Sequence, residues 1–232
     1  MSAQRQGRAA AQCRAFVREH DLDAYLATLL APQDDQPRLF AIWTIAADAL
    51  RLPWSVSEPA MAAIRLQWWR EALKAGQGHP ALQLLEGQAH VAPLESFLES
   101  CARLHGPPLA SVGECRQWSQ QAFATLMKAL GEEPDTPLAL GHGLIFLLRR
   151  APWPRRTGQP LLADALDRQA MAHEAQEALK SARHGRGNLP FRLSGIWLKA
   201  IRKAQKTGQP PSIPQWRRQL ALLKVVITGR GW

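Results

Sequence analysis

Carboxylates three or four residues apart on one helix face can converge on a divalent ion, and the sequence offers few such pairs. Asp164 and Asp167 share a face, but in the first turn of a helical stretch, where acids ordinarily serve the helix dipole. Asp34 and Asp35 fall in a loop, Glu132, Glu133 and Asp135 crowd a Pro/Gly-bounded turn, and Asp48 stands alone in an apolar run. A second chemistry is offered by Arg149, Arg150, Arg155 and Arg156, since guanidiniums hold diphosphate oxygens without metal; the plainer reading is an exposed basic loop. Cys13, Cys101 and Cys115 include no CxxC pair and the histidines no HExxH, so neither a disulfide framework nor a zinc knuckle is expected. The thiols read as reduced, buried residues of a cytosolic protein.

The elements that would position these groups read as helix throughout. Val, Ile and Thr are sparse, Ala, Leu, Gln and Arg abundant, and no segment alternates at period two for long. Helices are predicted over 8–19, 22–31, 36–52, 58–75, 79–86, 91–104, 111–130, 136–150, 163–183, 190–206 and 213–228. Ser57 with Pro59, and Asp135 or Thr136 with Pro137, read as helix starts. Pro/Gly clusters at 106–108, 131–137, 151–160 and 207–214 punctuate the chain without splitting it. The expectation is an all-α, single-domain multi-helix bundle over residues 1–232, with central helices wholly surrounded.

Apolar residues make up 46% of the chain, enough for a substantial core at this size. No apolar run approaches the ~20 residues that span a bilayer, and the N-terminus reads as the start of the first helix rather than a secretory signal. Charge is polarised along the sequence. After Glu177 no acid occurs, while twelve Lys and Arg do, leaving the first 177 residues with 17 basic and 19 acidic side chains. Such a basic third suits an anionic membrane surface or a protein partner; no nucleic-acid motif accompanies it, so nucleic acid is not expected. Arg202, Lys203, Arg217 and Arg218 are its candidate contacts, and reversing charge at Arg217 and Arg218 is expected to weaken association with the fold intact.

Between Met61 and Leu73, periodicity places Met61, Ile64, Trp68 and Ala72 on one buried stripe, widened by Trp69 and Leu73. The string IRLQWWREAL within it resembles the squalene/phytoene synthase family of head-to-head isoprenoid enzymes. So do DLDAYLATLLAP and RLFAIWTI near the start, LALGHGLIFLLRRAPWPRRTGQPLL at 138–162, and AHEAQEALKSAR and NLPFRLSGIWLKAI at 172–183 and 188–201. The resemblance is weakest over 87–135, and extends to the subgroup of mitochondrial complex I assembly factor 6.

That resemblance implies an isoprenoid-synthase-type bundle. The family's catalysts ionise a prenyl diphosphate with Mg2+ held by two Asp-rich clusters on facing helices. Laid on this chain, the first cluster falls on Leu50, Arg51 and Trp54, the second on Arg150 and Pro154, and an asparagine before it on Phe146. The leading expectation is therefore a catalytically silent member, without cofactor, contacting proteins, including complex I subunits, from the cytoplasm or the inner face of the cytoplasmic membrane. A second is an active prenyltransferase using Mg2+ through substitute ligands. A third is an isoprenoid or lipid binder, its cavity walled by Trp43, Trp68 and Trp69, with Tyr25, Asp48, Arg65, Gln67 and Arg149 as further contacts.

Overall fold

A computed structural model describes residues 3–85, 89–183 and 189–228. Helices α1 (Ala3–His20), α2 (Leu22–Thr28), α3 (Gln36–Ser55) and α4 (Pro59–Ala75) come first. After a 3-10 turn at Pro80–Leu84 follow α5 (Val91–Ala102), α6 (Val112–Ala129), α7 (Thr136–Arg150) and α8 (Arg168–Ser181). The chain closes with α9 (Leu189–Arg192), α10 (Trp197–Thr207) and α11 (Gln215–Thr228). The all-α expectation holds.

Caps explain most of the boundaries. Asp21, Ser111, Asp135 and Asp167 each accept a backbone N–H of the following turn, satisfying donors that a helix start leaves free. Asp167 thus precedes α8, and residues 163–167 are turns rather than the predicted first turn of a helix. Ser57 is not a cap; α4 starts after Glu58 with Pro59. The predicted helix 190–206 breaks into α9, a 3-10 turn at Leu193–Ile196 and α10, and 22–31 stops at Thr28. The predicted 79–86 ends on Glu86, which lies outside the described residues, as do Arg186 and Arg230 of the basic set.

Helix α3 is the centre: Phe40 to Leu50 is buried without a break, polar Thr44 and Asp48 included. One apolar cluster extends from Cys13 to Ile201 around it. On α4 the predicted stripe holds at Trp69, Ala72 and Leu73 and fails at Met61 and Ile64. Ala62, Leu66, Trp69 and Leu73 are buried with Ala72, whereas Met61 and Ile64 are 50% and 61% exposed. Both sets satisfy helical spacing, and it is Ala62 that faces the core.

Helices α6, α7 and α8 pack as consecutive neighbours, and glycines set how closely they approach. A Cβ on Gly143 would stand 2.3 Å from Ser119 Cβ and 2.7 Å from Ser119 Cα, so it would meet backbone-fixed atoms of α6. Gly143→Ala is expected to destabilise by roughly 1–3 kcal/mol, the overpacking outweighing alanine's better helix propensity. Gly7→Ala on α1, with nothing within 4 Å, should be neutral or slightly stabilising. Thermal unfolding of the pair checks this; equal midpoints would contradict it.

Candidate functional site

Of three buried carboxylates among the described residues, Asp48 and Asp23 each gather two guanidiniums and an indole. Asp48 on α3 is 1% exposed and faces α4. Its Oδ1 accepts from Arg51 Nε at 3.2 Å, while Oδ2 accepts from Arg65 Nε at 3.0 Å and the Trp69 indole N–H at 2.8 Å. The guanidiniums are placed in turn by rings, Arg51 over Phe16 at 5.4 Å and Arg65 over Trp68 at 5.3 Å. Trp69 packs edge-on to His79 at 4.8 Å. Burial holds the His79 imidazole below its usual pKa, and its Nδ1 accepts the Ala81 N–H.

The second carboxylate, Asp23 in the first turn of α2, joins helices far apart in sequence. Oδ2 accepts from Arg149 Nη1 at 3.2 Å and the Trp197 indole at 2.9 Å, and Oδ1 accepts from Arg218 Nη1 at 3.0 Å. Both guanidiniums lie over Trp197, at 3.6 and 4.7 Å from its ring centroid. A buried carboxylate so engaged is one whose charge is compensated by hydrogen-bonded partners.

Between α2, α3 and α7 remains a gap of about 20 Å3, walled by Trp43, Leu50, His142, Phe146 and Arg149. That is room for about one water. Aromatic rings occupy the space around it: His142 lies 4.4 Å from Phe123 and 4.7 Å from Phe191, and Trp43 5.8 Å from Phe191. His142 Nδ1 meets Ser194 Oγ at 2.5 Å, and burial first, then Arg149, pushes its pKa down to about 3.

The segments onto which the two Asp-rich clusters were laid do meet. Trp54 stacks edge-on to Phe146 at 6.3 Å, Arg150 lies 5.1 Å from the Trp54 ring, and the Trp54 indole donates to Trp153 O at 3.3 Å. What faces across is two rings and a cation. This donor set does not suit Mg2+, which needs oxygen ligands in near-octahedral array. Among the described residues no three His, Cys, Asp or Glu side chains come together as a metal site. Two of the four arginines considered for diphosphate turn elsewhere, Arg149 to Asp23 and Arg155, 5% exposed, to the carbonyls of Leu104 and Gly106 at 2.9 and 2.6 Å; Arg156 is exposed.

The other sequence candidates separate. Trp43 and Arg149 line the gap; Asp48, Arg65, Trp68 and Trp69 form their own cluster on the α4 side. Tyr25 packs on Phe40 at 5.8 Å, and Gln67 is exposed, donating to Glu71 at 2.8 Å. A wider cleft of about 210 Å3 opens beside Trp43, between Thr28, Leu39, Leu130 and Pro190. Arg202, Lys203 and Arg217 are exposed, Arg202 donating to Gln176 Oε1. Arg218 is not part of that surface. Its side chain is 15% exposed in the Asp23 pair, so reversing its charge would disturb the fold, contrary to expectation. Asp23, Trp197, His142 and Ser194 were not singled out by sequence; their partners lie too far along the chain for spacing to reveal.

Among the described residues no helix is long and apolar enough to cross a membrane. Residues 17–131 match the squalene/phytoene synthase family model. The match takes in residues 87–131 of the stretch where the resemblance is weakest and ends before the segments from 138 onward. The "NADH dehydrogenase (ubiquinone) complex I, assembly factor 6 homolog" of Drosophila melanogaster is 25% identical over 191 residues, covering 70% of this chain and 56% of its own. The chain thus spans little more than half the length of that relative. The crystal structure of a dehydrosqualene synthase in complex with ligand matches with a TM-score of 0.70 over 97% of both chains, at 12% identity, a likeness of fold. Over residues 17–131 the chain is thus similar in sequence to the squalene/phytoene synthase family, and over nearly all of its length it shares the fold of a dehydrosqualene synthase.

Proposed function

We propose that this chain is a catalytically silent squalene/phytoene synthase-family protein that acts through protein contacts in the assembly of respiratory complex I. On this reading it works in the cytoplasm, peripherally on the inner face of the cytoplasmic membrane. The observation that carries the silent part is the filled interface of α3 and α7. Trp54, Phe146 and Arg150 face one another there, and the nearby Asp23 and Asp48 are held by guanidiniums. A prenyl diphosphate would need to displace rings from a gap of about 20 Å3. The assembly part is supported by the likeness to the Drosophila melanogaster relative and by the run of twelve basic residues after Glu177.

Thermal unfolding with Mg2+ and a non-hydrolysable farnesyl diphosphate analogue tests the silent part. A ligand at ~100 times its dissociation constant would add about 2.7 kcal/mol, roughly 5–10 °C for a chain of this size. The expected shift is nil. A Mg2+-dependent rise would restore the prenyltransferase reading, and a rise without Mg2+ would favour an apolar ligand in the cleft beside Trp43. For the assembly part, deletion of the gene is expected to deplete assembled complex I, and the tagged chain should co-purify with its subunits. Normal levels of the complex would sink that part.

A further inference from the structure

Helix α11 is apolar on two opposite ridges, and one of them is uncovered. Leu222 and Val225 pack on Leu26, Ala27 and Leu193, with Arg218 bound to Asp23 on the same side. Opposite them, Trp216, Leu220, Leu223 and Ile227 are 56%, 56%, 54% and 74% exposed. Their spacing places all four on a single line of the helix. Scattered exposed apolar side chains are ordinary, but a continuous ridge of four large ones marks a contact surface.

A groove of about 730 Å3 separates α10 from α11 along one flank of this ridge. Lys199, Lys203, Arg217 and Lys224 line it, over a floor that includes Ile196 and Ala221, and no carboxylate is among its lining residues. None of the four cations forms an ion pair with a described residue; Arg217 only leans over Trp216, 5.1 Å from its ring.

We propose that α11 lies in the interface of an anionic phospholipid bilayer. Its Trp216–Leu220–Leu223–Ile227 ridge sits at the boundary of headgroups and acyl chains, and Lys199, Lys203, Arg217 and Lys224 meet the lipid phosphates. This rests on the membrane-surface part of the proposed function, not on its assembly part. An interfacial helix needs a narrow apolar ridge beside Lys and Arg, with Trp favoured at headgroup depth, and both are present. An acidic protein partner would match the charge as well. A groove on such a partner would take the same ridge, so binding to protein-free vesicles separates the two; the four lining cations with no carboxylate among them, beside a ridge that begins at Trp216, favour the bilayer.

The test is co-sedimentation of the full-length protein with phosphatidylcholine vesicles, with and without phosphatidylglycerol. Binding is expected only with phosphatidylglycerol, and salt should release it. Leu220→Glu/Leu223→Glu and Lys199→Glu/Lys203→Glu should each weaken it at least tenfold. Met61→Glu/Ile64→Glu, on the exposed pair of α4, should leave it unchanged. Thermal unfolding confirms that each variant folds. No binding to anionic vesicles, equal binding to neutral ones, or full binding by the ridge variant overturns the inference. Binding lost through the α4 variant instead would overturn it while leaving membrane association standing. Vesicle binding with undiminished complex I after gene deletion would sink the assembly reading and leave this one intact.

Discussion

Replacing Asp23 by Asn is expected to lower the unfolding midpoint by about 6–12 °C, the largest effect of a single substitution outside the apolar core. Asn keeps the shape and removes the charge. Arg149 and Arg218 then face each other across Trp197 with no anion between them, and the Trp197 indole loses a charged acceptor. Breaking a buried ion pair from one side costs on the order of 3–5 kcal/mol, because the remaining charge stays desolvated. Arg149 keeps 29% of its side-chain surface in solvent, so the lower figure of about 3 kcal/mol applies here. A chain of this length loses about 2–4 °C per kcal/mol. Since Asp23 ties α2 to α7, α10 and α11, hydrogen exchange should quicken first in α10 and α11. A midpoint within about 2 °C of the parent would mean that the satellite core of Leu222 and Val225 holds α11 without the ion pairs.

The helices were legible because their boundaries are written locally. Asp135 with Pro137 marks α7, and Gly76 at φ +64° ends α4, in a conformation other residues rarely adopt. The phase of α4 was not legible. The stripe 61/64/68/72 widened by 69 and 73 and the set 62/66/69/73 both suit a helix, so Trp69 and Leu73 were legible as core while only the neighbours decide between Met61 and Ala62. The same ambiguity hides in α11, where periodicity finds two apolar ridges and cannot say that Leu222 and Val225 are the covered ones. Asp23 was illegible for another reason. In sequence it is an acid in the first turn of a helix, a position explained by the dipole alone. Its partners lie 126, 174 and 195 residues away.

One consequence of the interior joins its polar and aromatic parts. Residues laid on the catalytic clusters are apolar or cationic, and the side chains around them are large: Trp43, Trp54, Phe123, Phe146 and Phe191. A wider cavity lined by such rings would forfeit their packing, so the ring contacts and the engaged carboxylates stabilise the same bundle.

The ring cluster also makes the protein acid-sensitive, through His142. The imidazole is enclosed by Phe123 and Phe191 and bonded to Ser194, and burial with Arg149 nearby puts its pKa at about 3. In the unfolded chain it titrates near the ordinary value of 6.5. The folded form therefore resists a proton that the unfolded form accepts. Stability is complete above pH ~6.5 and falls as the pH drops toward ~3, at about 1.4 kcal/mol per pH unit. By pH 4 the loss from this one group is about 3 kcal/mol. His105, lowered to about 4 by burial and Arg155, adds to it. Asp21 works the other way, because burial and Asp23 raise its carboxyl, so its protonation favours the folded form. Comparing His142→Phe with the parent removes these shared contributions. The variant is expected to be less stable at pH 7.5 by about 1 kcal/mol, having orphaned the Ser194 hydroxyl. Between pH 7.5 and 4 it should lose about 3 kcal/mol less than the parent, so the two denaturant midpoints cross. Parallel pH profiles would show that His142 takes its proton within the folded bundle, which its packing between two phenyl rings makes costly.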